Sequence, residues 1–169
     1  VFKVFLTWQE EQEAGWLMEM ARRGWHLRGY HSFVYSFVQG EPEEVVYKLD
    51  YRKALKKVEH EEYVALFEDS GWTHVDDYMG WHYFKSAATA KVLPEIYSDS
   101  DSLLQKYKQL LTTLISCALP LLAIYFLIVL QNDYVFMLVL KILYPMILGV
   151  LLICILKTSL KLQRIKKRE

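Results

Sequence analysis

The sequence predicts an α+β protein. A soluble domain of two βαββ units fills residues 1–98, and a two-helix transmembrane hairpin follows over residues 110–156. Three observations carry this reading. The stretch RRGWHLRGYHSFVYSFVQGEP, residues 22–42, returns 47 positions later as DSGWTHVDDYMGWHYFKSAAT, so an internal repeat organises the first part of the chain. Each copy holds one helix-like run among strand-like runs. Two long apolar stretches close the chain.

In the first unit, about residues 1–44, residues 1–7 are rich in Val and Phe and read as a strand. Thr7-Trp8-Gln9-Glu10 fits a capping box, in which the Thr and Glu side chains satisfy free N–H groups at a helix start. Ala14, Leu17, Met18 and Ala21 follow at helical spacing, and Gly24 stops the helix. Residues 25–30 and 32–38 are strands. The second unit, about residues 45–98, repeats the order: strand 45–51, helix 59–70 with Tyr63, Val64, Leu66 and Phe67 inward, a stop at Gly71, and strands 72–77 and 81–85. Trp25 and Trp72 are expected to wedge between helix and sheet. The expected sum is a ferredoxin-like arrangement, an antiparallel sheet with both helices on one face.

Residues 110–130 carry no charge and residues 134–156 carry only Lys141. Either run is long enough to cross a hydrocarbon core of roughly 30 Å as a helix. Only Gln131-Asn132-Asp133 connects them, so the spans are antiparallel neighbours. Lys141 is expected to snorkel to the outer interface, and Pro120 and Pro145 to be accommodated by neighbouring helices. Residues 99–109 read as a helical linker capped by Asp99, Ser100 and Asp101.

Formal net charge is zero, but residues 1–109 hold 13 Lys/Arg against 18 Asp/Glu. The tail, residues 157–169, carries Lys157, Lys161, Arg164, Lys166, Lys167 and Arg168 against Glu169. These cations suit an anionic membrane surface. With Lys106 and Lys108 before the first span, they put both termini in the cytoplasm by the positive-inside rule. Val1-Phe2-Lys3 has no signal-peptide n-region, so none is expected. Cys117 and Cys154 lie inside the spans and read as small packing residues.

Chemistry is sparse. THVDDYMGWH gathers His74, Asp76, Asp77 and His82, residue types that ligate metals or move protons. On a regular strand His74 and Asp76 share a face and Asp77 takes the other, so at most two or three could meet. No metal site and no cofactor is therefore expected, with His74, Asp76 and His82 the nearest candidates. There is no nucleophile motif, and the acidic domain argues against nucleic acid. The aromatic residues Tyr35, Tyr47, Trp81 and Tyr83 are expected to line a helix-free sheet face open to a ligand or partner.

The stretches EEQEAGWLMEMARRGWHLRGYHSFVYSFVQGEPEEVVYKLDY, EEYVALFEDSGW, GWHYFK and EIYSDSDSLLQKYK resemble a membrane-tethered bacterial family, domain of unknown function 2812. The resemblance covers about residues 1–108. It implies a mainly Gram-positive origin and, through frequent PadR-like gene neighbours, a regulated membrane or stress response. It carries over no catalytic residue. The expected function is a non-enzymatic binding or regulatory module at the inner membrane face, with a protein partner or a homo-oligomer. Two alternatives stand beside it: a metal-dependent or acid–base enzyme using His74, Asp76, Asp77 and His82, and an accessory subunit of a membrane complex.

Overall fold

A computed structural model describes residues 1–53, 56–88, 100–132 and 134–167. The chain divides into two compact units, Val1–Lys106 and Tyr107–Glu169.

The first unit contains helix α1 (Glu10–Arg22), strands β1 (Trp25–His31), β2 (Val34–Gln39) and β3 (Val45–Tyr51), helix α2 (Lys57–Asp69), and strands β4 (Thr73–Tyr78) and β5 (Trp81–Ala87). Both helices begin and end 47 residues apart. Gly24 and Gly71 follow them with φ of 79° and 83°, left-handed conformations that glycine adopts without a Cβ penalty. Ser32-Phe33 and Met79-Gly80 turn the two hairpins with all four φ values positive, as tight hairpin turns require.

The strands form two antiparallel sheets, β1-β2 and β3-β5-β4, rather than the single sheet expected. Strands β1 and β4 lie side by side, but both carry a bulge, between Leu27 and Gly29 and between His74 and Asp76. A bulge breaks the regular ladder of N–H and C=O groups. A side chain spans the gap instead, as Tyr30 N donates to Asp76 Oδ2 at 2.6 Å. Gly29 makes room for this, since a Cβ there would stand 2.9 Å from Asp76 Oδ2.

Residues 1–7 are not a strand. Lys3 N donates to Phe33 O and Tyr35 N to Val1 O, a short alignment along β2 with one bridge, Phe2 to Val34. The chain then turns: Gln9 N donates to Leu6 O, and Gln9 Oε1 accepts from Leu6 N. Gln9 therefore takes the N-cap position without a side-chain cap, and the capping box at Thr7 does not form.

Two cores result. Ala14, Leu17 and Ala21 of α1 pack with Leu27, Tyr35, Val45, Tyr47, Leu49 and Tyr83. Tyr63 and Phe67 of α2 pack with Trp72 and Phe84, backed by Val46, and the Phe67 and Phe84 rings stack at 4.1 Å. Tyr83 and Phe84 are neighbours on β5, as Val45 and Val46 are on β3, and neighbours on a strand point to opposite faces. The helices therefore cover opposite faces of the three-stranded sheet, not one. Trp72 is the expected wedge. Trp25 is exposed, because Trp16 fills the aromatic layer of the first unit against Phe5, Tyr35 and Phe37. Leu66, expected inside, is also exposed.

Helix α3 (Ser100–Ile124) runs from the end of the first unit into the second, where it passes into a π-helical turn, Tyr125–Val129, and α4 runs from Val135 to Lys166. The two stretches Leu103–Val129 and Val135–Lys166 are long and apolar enough to cross a membrane. Tyr125 and Tyr144 stack between them at 6.1 Å. Cys117 is exposed, Cys154 is buried, and no disulfide joins them. The basic residues Lys157, Lys161, Arg164 and Lys166 continue α4, whereas Arg168 and the expected caps at Asp99, Ser100 and Asp101 lie outside the described side chains.

Candidate metal centre

The bulge in β4 builds the site. On a regular strand Asp76 would join His74. With Val75 bulged, His74 pairs with Phe84, Asp76 with Tyr83 and Asp77 with His82. Phe84 and His82 share a face of β5, so His74 and Asp77 share it too, and Asp76 is turned to the other side. Helix α2 lies on that first face and contributes His60.

Asp77 is the hub. Its Oδ1 is 2.5 Å from His82 Nδ1 and 2.8 Å from His74 Nε2, and its Oδ2 is 2.6 Å from His60 Nε2. The His60 ring stands 5.5 Å from that of His82 and 5.8 Å from that of His74. His82 is buried, its Nε2 without a hydrogen-bond partner among the described residues, while His60 and His74 are half-buried and Asp77 is exposed. Burial pushes the Asp77 carboxyl up, but hydrogen bonds from His74 and His82, with the charge on both rings, outweigh it and hold the group well below the usual carboxylate range. The hydrogen bond to Asp77 lifts His74 above its ordinary value, against the opposing effect of burial.

Four donor groups from three elements thus lie within 4.8 Å of one another. Two metal–nitrogen bonds of about 2.1 Å span about 4.2 Å, so the spacing of the four groups is close to what one shared ion needs. Three imidazoles with one carboxylate suit zinc, iron, nickel or copper better than magnesium or calcium, which prefer all-oxygen shells.

The sequence-based candidates divide. His74 and His82 are in the cluster with Asp77, and Asp76 is not, being bonded to β1. His60 was missed. Tyr35, Tyr47 and Tyr83 are buried under α1 and Trp81 is partly buried, so they form no open face; α1 covers the surface they were expected to line.

A family model for proteins of unknown function, DUF2812, matches residues 9–119. The chain belongs to the DUF2812 family. The match takes in α1, α2 and all five strands of the first unit, all four members of the cluster and the first ten residues of the uncharged run. No curated protein and no solved structure matches this DUF2812 chain.

Proposed function

We propose that this chain is a membrane-anchored binding module whose soluble domain holds one transition-metal ion of the zinc class through His60, His74, Asp77 and His82. The convergence of these four groups on the α2 side of β4 and β5 carries the reading. Four protein ligands fill the tetrahedral shell of zinc, which favours structural or regulatory binding over hydrolysis, where one position stays open to water. The two apolar helices supply the anchor. The cations on α4 favour a topology with both ends in the cytoplasm. Equal helix lengths, matching turns and matching bulges at an offset of 47 support an origin by duplication.

The test is a calorimetric titration of the metal-depleted full chain in detergent micelles with zinc and with magnesium. One zinc per chain is expected and no magnesium, with affinity falling at least about 100-fold in His74→Ala and His82→Ala, beyond the loss typical of outer-shell changes. Zinc binding that survives both substitutions, or no saturable binding, rejects the reading.

A further inference from the structure

Helix α1 buries two glutamates, Glu10 and Glu13, each 8% exposed. Glu10 Oε1 lies 3.4 Å from Lys106 Nζ. The other buried carboxylate among the described residues, Asp50, lies 3.9 Å from the same ammonium and 3.8 Å from Arg52 Nε. Glu13 differs. Its Oε1 accepts from the phenols of Tyr35 and Tyr83 at 2.8 Å each, and no ion pair to it forms among the described residues. A buried carboxylate without a counter-charge is costly, and two neutral donors offset only part of that cost.

Beside Glu13 lies a cavity of about 50 Å³, lined by Thr7, Glu10, Glu13, Tyr30, Trp81 and Tyr83 among others. Thr7 Oγ1 is buried there and has no hydrogen-bond partner among the described residues. The aromatic rings present electron-rich faces, which attract cations. The rim already receives one: Lys106 Nζ stands 5.6 Å from the centre of the Trp81 ring.

We infer that this cavity binds a small protonated amine, with Glu13 as its counter-ion. The N–H groups of an alkylammonium head would meet the Glu13 carboxylate and the Thr7 hydroxyl, and its carbons would lie against the aromatic rings. The volume limits the occupant to a head of a few heavy atoms. Trp81 and Tyr83 alternate with His82 along β5 and so point away from the metal centre. The inference therefore stands independently of the metal.

Calorimetry of the full chain in detergent micelles, with a chelator present, tests this using methylammonium and propylammonium chloride, and propanol as the uncharged control. Saturable binding of one amine per chain is expected, with none of propanol. Glu13→Gln keeps an oxygen to accept both phenols and loses the charge. Thr7→Val keeps the shape and removes only an unpartnered hydroxyl. Each should weaken the amine at least about tenfold. No saturation, an equal response to propanol, or unchanged affinity in either variant overturns the inference.

Discussion

Glu13 and His60 are each the fourth residue of a 13-residue helix, and each turns its side chain onto the strands that follow that helix. Glu13 receives the phenol of Tyr35; His60 meets the carboxylate of Asp77. Tyr35 itself corresponds to His82 at the offset of 47, and Tyr30 to Asp77. At that offset a carboxylate–phenol cluster in one half stands where an imidazole–carboxylate cluster stands in the other.

The adjacent carboxylates of β4 should separate cleanly on mutation. Asp76→Ala removes the acceptor for Tyr30 N, and leaving a backbone donor unpaired costs about 1–3 kcal/mol. Chemical denaturation should show that loss while zinc affinity stays unchanged. Asp77→Ala should lose zinc affinity at least about 100-fold, more than an outer-shell change. Equal effects of the two on zinc would contradict the placement of the bulge.

The Glu13 carboxyl titrates above its ordinary range because burial disfavours the charged form, against hydrogen bonds from Tyr83 and Tyr35. Its folded value exceeds its unfolded value, so the stability it contributes is complete below the unfolded value of about 4.3. That stability is lost as pH rises through the raised folded value. Glu13→Gln removes this dependence. Without amine, thermal melts should show the variant gaining on the parent as pH is raised from about 4 into the neutral range. A constant difference across that range would sink the assignment.

Phe33 has φ of 67°, and its counterpart in the other hairpin is Gly80 at 85°. A left-handed conformation costs a residue with a Cβ roughly 1–2 kcal/mol. The Phe33 side chain is half exposed, so it returns little by packing. Phe33→Gly should raise the denaturation midpoint by an amount equivalent to about 1 kcal/mol. A fall would mean that the ring holds residues 1–3 in place.

The topology is open to labelling. With Cys117 and Cys154 replaced by Ala, a cysteine at Asn132 should react with a membrane-impermeant maleimide in intact cells. One at Gln163, near the end of α4, should react only after lysis. The reverse pattern would invert the chain in the membrane.

Where local rules operate, the sequence was legible. Gly24 and Gly71 stop helices, and Ala14, Leu17 and Ala21 face inward. The apolar helices announce themselves by length. Residues 1–7 misled because Val and Phe suit a strand, whereas only the backbone of residues 1–3 aligns with the β1-β2 hairpin, at Phe33, Val34 and Tyr35. Which face of the sheet each helix covers is set by long-range packing of α1 and α2, which no local pattern encodes. The cluster of His60, His74, Asp77 and His82 was half legible. His60 sits three residues before Tyr63, on the buried side of α2, and that spacing was available as a signal. The bulge was not: Val75 looks like any strand residue, yet it decides which of two adjacent aspartates meets His74.

That bulge also bears on inheritance. Loss of Val75 would leave His74 opposite Phe84 and Asp77 opposite His82, now on a straight strand. The residue is extra to the backbone ladder, although its side chain packs against the first core, and one codon deletion would remove it without exchanging any of the four clustered groups. An insertion between His82 and Phe84 has no such refuge, because it would carry the histidine and the phenylalanine to opposite sides. Length variation among descendants of this chain should therefore gather at position 75 and avoid β5.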